Sequence, residues 1–97
     1  MAGFTTISST QITNTGGSVF AGSARVKSIW GAHSATAGTV LLRDSGSTGT
    51  LRCTINTAAA IGEYQTIIPE PGIRCTSSSG PYVAITGGVS FVTVFYD

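Results

Sequence analysis

The stretch YVAITGGVSFVTVFY, residues 82–96, decides the fold class of this chain. Two runs of aromatic and β-branched residues, 82–86 and 89–96, flank the pair Gly87-Gly88. Residues of these types favour extended strands. Because both glycines can adopt a positive φ, the pair predicts a two-residue hairpin. The second run is the most hydrophobic in the chain, and we expect it to be a central strand with both faces covered.

The rest of the chain repeats this alternation of strand-forming runs and turns. The sequence has nine Ile, seven Val and 15 Thr against three Leu, a composition that suits pleated sheet. Turn residues recur about every eight to twelve positions. We therefore predict an all-β fold, a single antiparallel β-sandwich of about eight strands and of jelly-roll type. Residues 1–97 form one domain, in which the weakly patterned residues 1–15 are either an extended N-terminal arm or an edge strand.

The longest strand predicted from the first half of the sequence covers residues 18–30. Its alternation places Arg25 and Lys27 toward solvent and Trp30 in the core. The small residues that follow, 33–38, are expected to form a loop that carries the single histidine, His33.

Charge excludes two classes of partner. Charged residues make up 9% of the chain and the formal net charge is +1. A nucleic-acid-binding protein needs a clustered basic face, and a protein bound to a membrane surface needs a polybasic segment. The N-terminal residues carry no signal-peptide pattern, and the apolar runs are too short to span a bilayer. We expect neither nucleic acid nor membrane as a partner.

Residues with catalytic or metal-binding chemistry are few and scattered. No serine lies in a Gly-x-Ser-x-Gly elbow, and His33 has no evident partner. Cys53 and Cys75 are interpreted as free thiols that pack as small hydrophobes, with a disulfide as the alternative if their strands are neighbours. Asp44, in a loop rich in Ser and Thr, is a single carboxylate, too little for a cation site. We expect no catalytic residue, no cofactor and no metal.

The aromatic side chains are compatible with carbohydrate binding. Strand aromatics usually belong to the core, but an exposed aromatic platform can bind sugars because its face is apolar and its edge can be polar. Tyr64 and Tyr82 are the candidates for such a carbohydrate-binding face.

Three segments carry a resemblance to a known group of proteins: ATAGTVLLRDSGSTG (35–49), IPEPGIRC (68–75) and GPYVAITGGVSFVTVFY (80–96). Together they resemble small structural proteins of tailed bacteriophages, including those of cyanobacterial phages. The similarity lies in composition and in the order of strands and turns, and it brings no active-site residue with it.

The resemblance implies a virion component that is assembled in the host cytoplasm. The first expectation is a capsid decoration (cement) protein that binds the major capsid protein and stabilises the head shell. The alternatives are a tail, fibre or collar accessory protein, or a carbohydrate-binding adhesion module. A homo-oligomer is expected, with a trimer by analogy alone. An N-terminal assembly arm would present Phe4, Ile7 and Ile12, so that residues 1–13 would matter for assembly more than for folding.

Overall fold

The structure, a computed structural model, describes residues 7–13 and 15–97, and within these ranges the fold is all-β and antiparallel, as predicted. No helix in the described part of the chain is long and apolar enough to cross a membrane. The seven strands of this part are β1 (Ser8–Ile12), β2 (Gly16–Ser18), β3 (Ala24–Asp44), β4 (Thr50–Thr57), β5 (Gly62–Ile67), β6 (Ile73–Cys75) and β7 (Pro81–Tyr96).

Two long strands, β3 and β7, organise the whole sheet. They run antiparallel over nearly their full lengths, from Val26 opposite Tyr96 to Asp44 opposite Pro81. The first half of β3 also pairs with β5 and β6, and its second half pairs with β4. On the other side of β7 lie β1 and β2. The run 89–96 is therefore central, as its hydrophobicity predicts.

The predicted hairpin at Gly87-Gly88 is wrong. Both glycines lie inside β7, and the two halves of this strand pair with β3 instead of with each other. Gly87 does have a positive φ of 65°. However, a Cβ atom on Gly87 or Gly88 would collide with the carbonyl oxygen of Ala37 or Thr36 in β3. The glycines thus allow the two backbones to approach closely where the pairing of β3 with β7 is irregular.

The predicted loop at 33–38 is also part of a strand. The pairing of β3 with β7 shifts between His33, opposite Val89, and Gly38, opposite Gly87. The four residues between them are exposed, whereas His33 is buried, with 8% of its surface exposed. In this segment four residues of β3 face the single residue Gly88 of β7, so it is a large irregularity within β3 and not a free connection.

Trp30 does not enter the core, which corrects the predicted orientation of this strand. The pairing with β7 shifts by one residue between Val26 and Ser28, so Lys27 is an extra residue on β3. A bulge of this kind reverses the alternation beyond it. Val26 and Ile29 are both fully buried as a result, and Trp30 lies half-buried on the opposite face of the sheet.

One hydrophobic core joins the inner faces of both halves of the sheet. Its buried members come from β1, β3, β7 and the turn after β2, and they are Ile12, Val19, Val26, Ile29, Val40, Leu42, Val83, Ile85, Val92 and Val94. Side chains from both halves of β3 and β7 therefore belong to one contact cluster. The finer assignment, two packed sheets in jelly-roll order, stays a prediction.

Residues 8–12 form an edge strand, one of the two alternatives for the N-terminal segment. β1 pairs with β7 from Ser8 opposite Tyr96 to Ile12 opposite Val92. Ile12 is a core residue with 5% of its surface exposed, so it is integral to the fold and does not belong to a free arm. Ile7, just before the strand, is 49% exposed. Phe4 lies outside the described residues.

Candidate functional site

An unusual concentration of aromatic side chains lies on the outer side of the sheet, away from the core. Phe91 and Phe95 of β7 lie half-buried on this side, next to Trp30 of β3 and Ile67 of β5. We call these four residues the outer aromatic face. Ile67 is 75% exposed, which is high for an isoleucine within a strand. The face is apolar, and its one charged neighbour on β5 is Glu63.

The strand register places the residues of the outer aromatic face side by side. Ser28 lies opposite both Phe95 and Ile67, and Trp30 lies opposite Thr93. Directly opposed residues of antiparallel strands point to the same side, so these side chains are neighbours on one surface. The rings of Trp30 and Phe91 meet edge to face, with their centroids 5.2 Å apart. This is a favoured geometry for two aromatic rings, because the positive edge of one faces the negative face of the other.

The outer aromatic face could not be predicted from the sequence for two reasons. The bulge at Lys27 reverses the side on which Trp30 lies, and no residue type at that position signals it. The outer side of β7 was expected to be covered, but among the described residues Phe91 and Phe95 are only half-buried. A signal was present in the alternation of Phe91, Thr93 and Phe95, which places both phenylalanines on one side.

Tyr64, one candidate for a carbohydrate-binding face, supports the sheet from its inner side. Its ring lies over Gly31, where a Cβ atom would collide with the tyrosine hydroxyl. That hydroxyl donates a hydrogen bond of 3.1 Å to the carbonyl oxygen of Phe91. Burial raises the pKa of Tyr64 to about 12. The ring packs against the core, and the hydroxyl has a partner within the protein.

Tyr82, the other candidate, lies half-buried on the second half of the sheet. It is opposite Arg43 on one side and Ser18 on the other. Its hydroxyl lies over Gly16, which has a φ of 148°. Tyr64 and Tyr82 are thus on opposite sides and in different halves of the sheet, so they do not form one platform.

The most connected carboxylate belongs to Asp44, at the end of β3. It is 5% exposed, and its two oxygens accept hydrogen bonds from the backbone N–H groups of Thr76 and Ser77 at 3.1 and 3.3 Å. The guanidinium of Arg52 lies 3.7 Å away. Asp44 therefore fixes the loop after β6 instead of facing its own serine-rich loop. Among the described residues no group of three or more His, Cys, Asp or Glu could hold a metal ion.

Both cysteines are free. Cys75 is fully buried, and burial raises its pKa to about 11, with the Asp44 carboxylate adding to this rise and the Arg52 guanidinium opposing it. Cys53 is half-buried, and burial raises the pKa of its thiol as well. Their environment matches thiols that pack as small hydrophobes.

A shallow cavity of about 200 Å³ lies where β3 and β6 pair. Arg25 and Arg74 line it directly opposite each other in the register. Like charges in this position repel, and the Asp97 carboxylate, 3.7 Å from Arg25, partly offsets that repulsion. The backbone of Asp97 also exchanges two hydrogen bonds with Arg25, of 2.8 and 3.0 Å. These contacts explain the cavity as a structural ion cluster.

Comparison with protein families, with curated proteins and with solved structures finds no match.

Proposed function

We propose that this chain is a non-enzymatic structural protein of a phage particle, a decoration protein that binds the major capsid protein on the head shell. The outer aromatic face supports the proposal. It offers a protein partner three aromatic rings and an exposed Ile67 on a surface with little charge. Apolar patches of this kind are typical of binding surfaces, and aromatic residues, Phe included, are enriched at the buried centres of protein interfaces.

Rigidity makes the outer aromatic face suitable for this role. Trp30 and Phe91 support one another edge to face, and the Phe91 backbone is anchored by the Tyr64 hydroxyl. Side chains that are already ordered lose little conformational entropy on binding. A small module can then reach useful affinity, and many copies on a symmetric shell multiply the effect through avidity.

The low charge of the chain favours a partner that is bound through shape and apolar contact. Ser, Thr and Gly provide most of the polar surface, and charged residues are only 9% of the sequence. Copies that crowd on a shell then repel each other weakly. The phage context itself comes from the resemblance of segments 35–49, 68–75 and 80–96.

Binding to head shells that lack the protein tests this proposal. Thr93 lies opposite Trp30 in the outer aromatic face, so Thr93→Arg places a charge in the centre of that face. Thr54→Arg is the matched control, because Thr54 is exposed on β4 in the other half of the sheet. We expect Thr93→Arg to weaken shell binding at least about tenfold, which is 1.4 kcal/mol, and Thr54→Arg to leave it unchanged.

Equal binding by both variants, with folding verified by circular dichroism, would exclude the outer aromatic face as the docking surface. Mass spectrometry of purified particles tests the location. Hundreds of copies per particle are expected of a decoration protein, whereas a few to about a dozen would identify a tail or collar component. Glycan binding that is lost on Tyr82→Ala would favour the adhesion module instead.

A further inference from the structure

Strand β5 leaves one edge of the sheet open. It pairs with β3 along one side, and on its other side no strand among the described residues pairs with it. Soluble proteins usually protect such edges with lysine, proline, a bulge or a covering loop, because an open edge can pair with another chain. The segment GEYQTI of β5 has no lysine and no proline, and its pairing with β3 is regular throughout.

The sequence around β5 is symmetric about Tyr64. Residues 61–67 read IGEYQTI, with an isoleucine at each end and a carboxylate and a carboxamide at the positions next to the centre. Ile61 is 84% exposed and Ile67 is 75% exposed, the largest exposed fractions among the big hydrophobic residues of the described chain. In a two-fold antiparallel contact about Tyr64, residue 61 of each copy meets residue 67 of the other, so the two exposed isoleucines would pair.

We propose that β5 of a second copy of this chain pairs antiparallel with β5 across a two-fold axis at Tyr64. In this register Ile61 of each copy lies opposite Ile67 of the other, and Glu63 lies opposite Gln65. The isoleucine pairs cover the flanks of Ile61 and Ile67 that face the other copy, and the Gln65 amide can donate a hydrogen bond to the Glu63 carboxylate. The open backbone edge gains its missing partners at the same time.

Other registers of the same contact are less favourable. Residues directly opposite one another in antiparallel strands point to the same side, so the two-fold axis must pass through a residue position. An axis at Glu63 would place two carboxylates face to face. An axis at Gln65 would place Ile67 opposite Glu63, and Ile61 opposite Pro69, which lies beyond the end of β5. The axis at Tyr64 is the one that pairs apolar with apolar and charge with amide.

The two-fold axis would be perpendicular to the sheet, so the contact would join the two sheets with the same face of each copy on the same side. The strands β1, β7, β3 and β5 of one copy would continue into β5, β3, β7 and β1 of the other. The outer aromatic faces of both copies would then lie on the same side of one continuous sheet. This inference does not depend on the proposed shell binding, since it concerns the purified chain alone.

The oligomeric mass of the full chain tests the contact. Size-exclusion chromatography with light scattering, over a range of protein concentrations, should show a dimer that dissociates on dilution. Gln65→Glu places a carboxylate opposite Glu63 at both ends of the contact, and it should raise the dissociation constant at least about tenfold. Thr54→Glu, an equal change of charge at an exposed position of β4, should leave the dimer intact.

A double variant makes the test specific for the register. In Glu63→Lys/Gln65→Glu, opposite charges face each other across the two-fold axis, so the dimer should return to at least the native affinity. Added salt should weaken this variant more than the native protein. A monomer or trimer at all concentrations, or a dimer indifferent to Gln65→Glu, would overturn the proposal, provided that circular dichroism shows native folding.

Discussion

The Tyr64 hydroxyl, on β5, donates a 3.1 Å hydrogen bond to the backbone carbonyl of Phe91, on β7. These two strands are not neighbours, because β3 lies between them, and the tyrosine ring spans it over Gly31. The bond therefore ties three strands together from the inner side, directly beneath the outer aromatic face. Because Phe91 belongs to the outer aromatic face, this bond also fixes the backbone of the surface that we propose binds a partner.

Tyr64→Phe should lower the free energy of unfolding by about 1 kcal/mol, because the Phe91 carbonyl oxygen loses its side-chain donor while the ring stays in place. Urea denaturation followed by Trp30 fluorescence measures the loss. Tyr82→Phe is the control, since no hydrogen bond from its hydroxyl is present among the described residues. Equal losses in both variants would contradict a specific role of the Tyr64 hydroxyl.

Alkaline pH should destabilise the protein through Cys75. Its folded-state pKa is about 11 against an ordinary value of 9.0, so the folded protein holds this proton more tightly than the unfolded chain. The resulting stability is complete below pH 9 and is lost as pH rises through 11, and two pKa units at 1.4 kcal/mol per unit make the full loss about 3 kcal/mol. Denaturation measured at several pH values between 8 and 11 gives the free energy of unfolding at each pH. This free energy should fall less steeply with rising pH in Cys75→Ala than in the native protein.

Asp44→Asn should cost about 2 kcal/mol of stability. The substitution removes the negative charge of a carboxylate whose oxygens accept hydrogen bonds from the N–H groups of Thr76 and Ser77 and which pairs with Arg52. Hydrogen bonds to charged groups are stronger than those between neutral groups. Glu70→Gln is a suitable comparison. Glu70 is paired with Lys27 at 2.6 Å but is 78% exposed, and exposed pairs contribute at most about 1 kcal/mol. Thermal unfolding should rank the two variants in this order.

The N-terminal strand should matter for folding. Ile12→Ala removes a core side chain with 5% exposure and should cost about 2–4 kcal/mol, whereas Ile7→Ala, at a residue 49% exposed, should cost less than about 0.5 kcal/mol. Chemical denaturation of both variants distinguishes an integral strand from an arm. If Ile12→Ala were as stable as the native protein, β1 would be an appendage after all.

The fold class and the central place of residues 89–96 could be predicted from the sequence because both depend on local composition and alternation. The structure differs at Gly87-Gly88, where the local signal for a hairpin is strong but each half of β7 pairs with β3. It also differs at Trp30, because one extra residue, Lys27, reverses the alternation without a characteristic residue type. Which strands pair, and where a bulge interrupts the pairing, depends on contacts between residues far apart in the sequence. The outer aromatic face depends on both.

For the candidate site the same limits apply to the tyrosines. Their aromatic character was plain from the sequence, but the side of the sheet on which each lies follows from register. Tyr64 packs inward over Gly31, a contact between residues of two strands whose pairing no local pattern specifies.

The pairing of β3 with β7 also governs how this chain must fold. Val26 meets Tyr96 near one end of the two strands, although these residues are 70 positions apart along the chain. Closing so large a loop costs entropy before any contact rewards it, and folds dominated by such distant contacts form slowly. While the chain is being synthesised, β3 cannot pair with β7 until residues 81–96 have been made. The apolar side chains of β3 that pack beside β7 in the core are without these neighbours, and open to aggregation, throughout that interval.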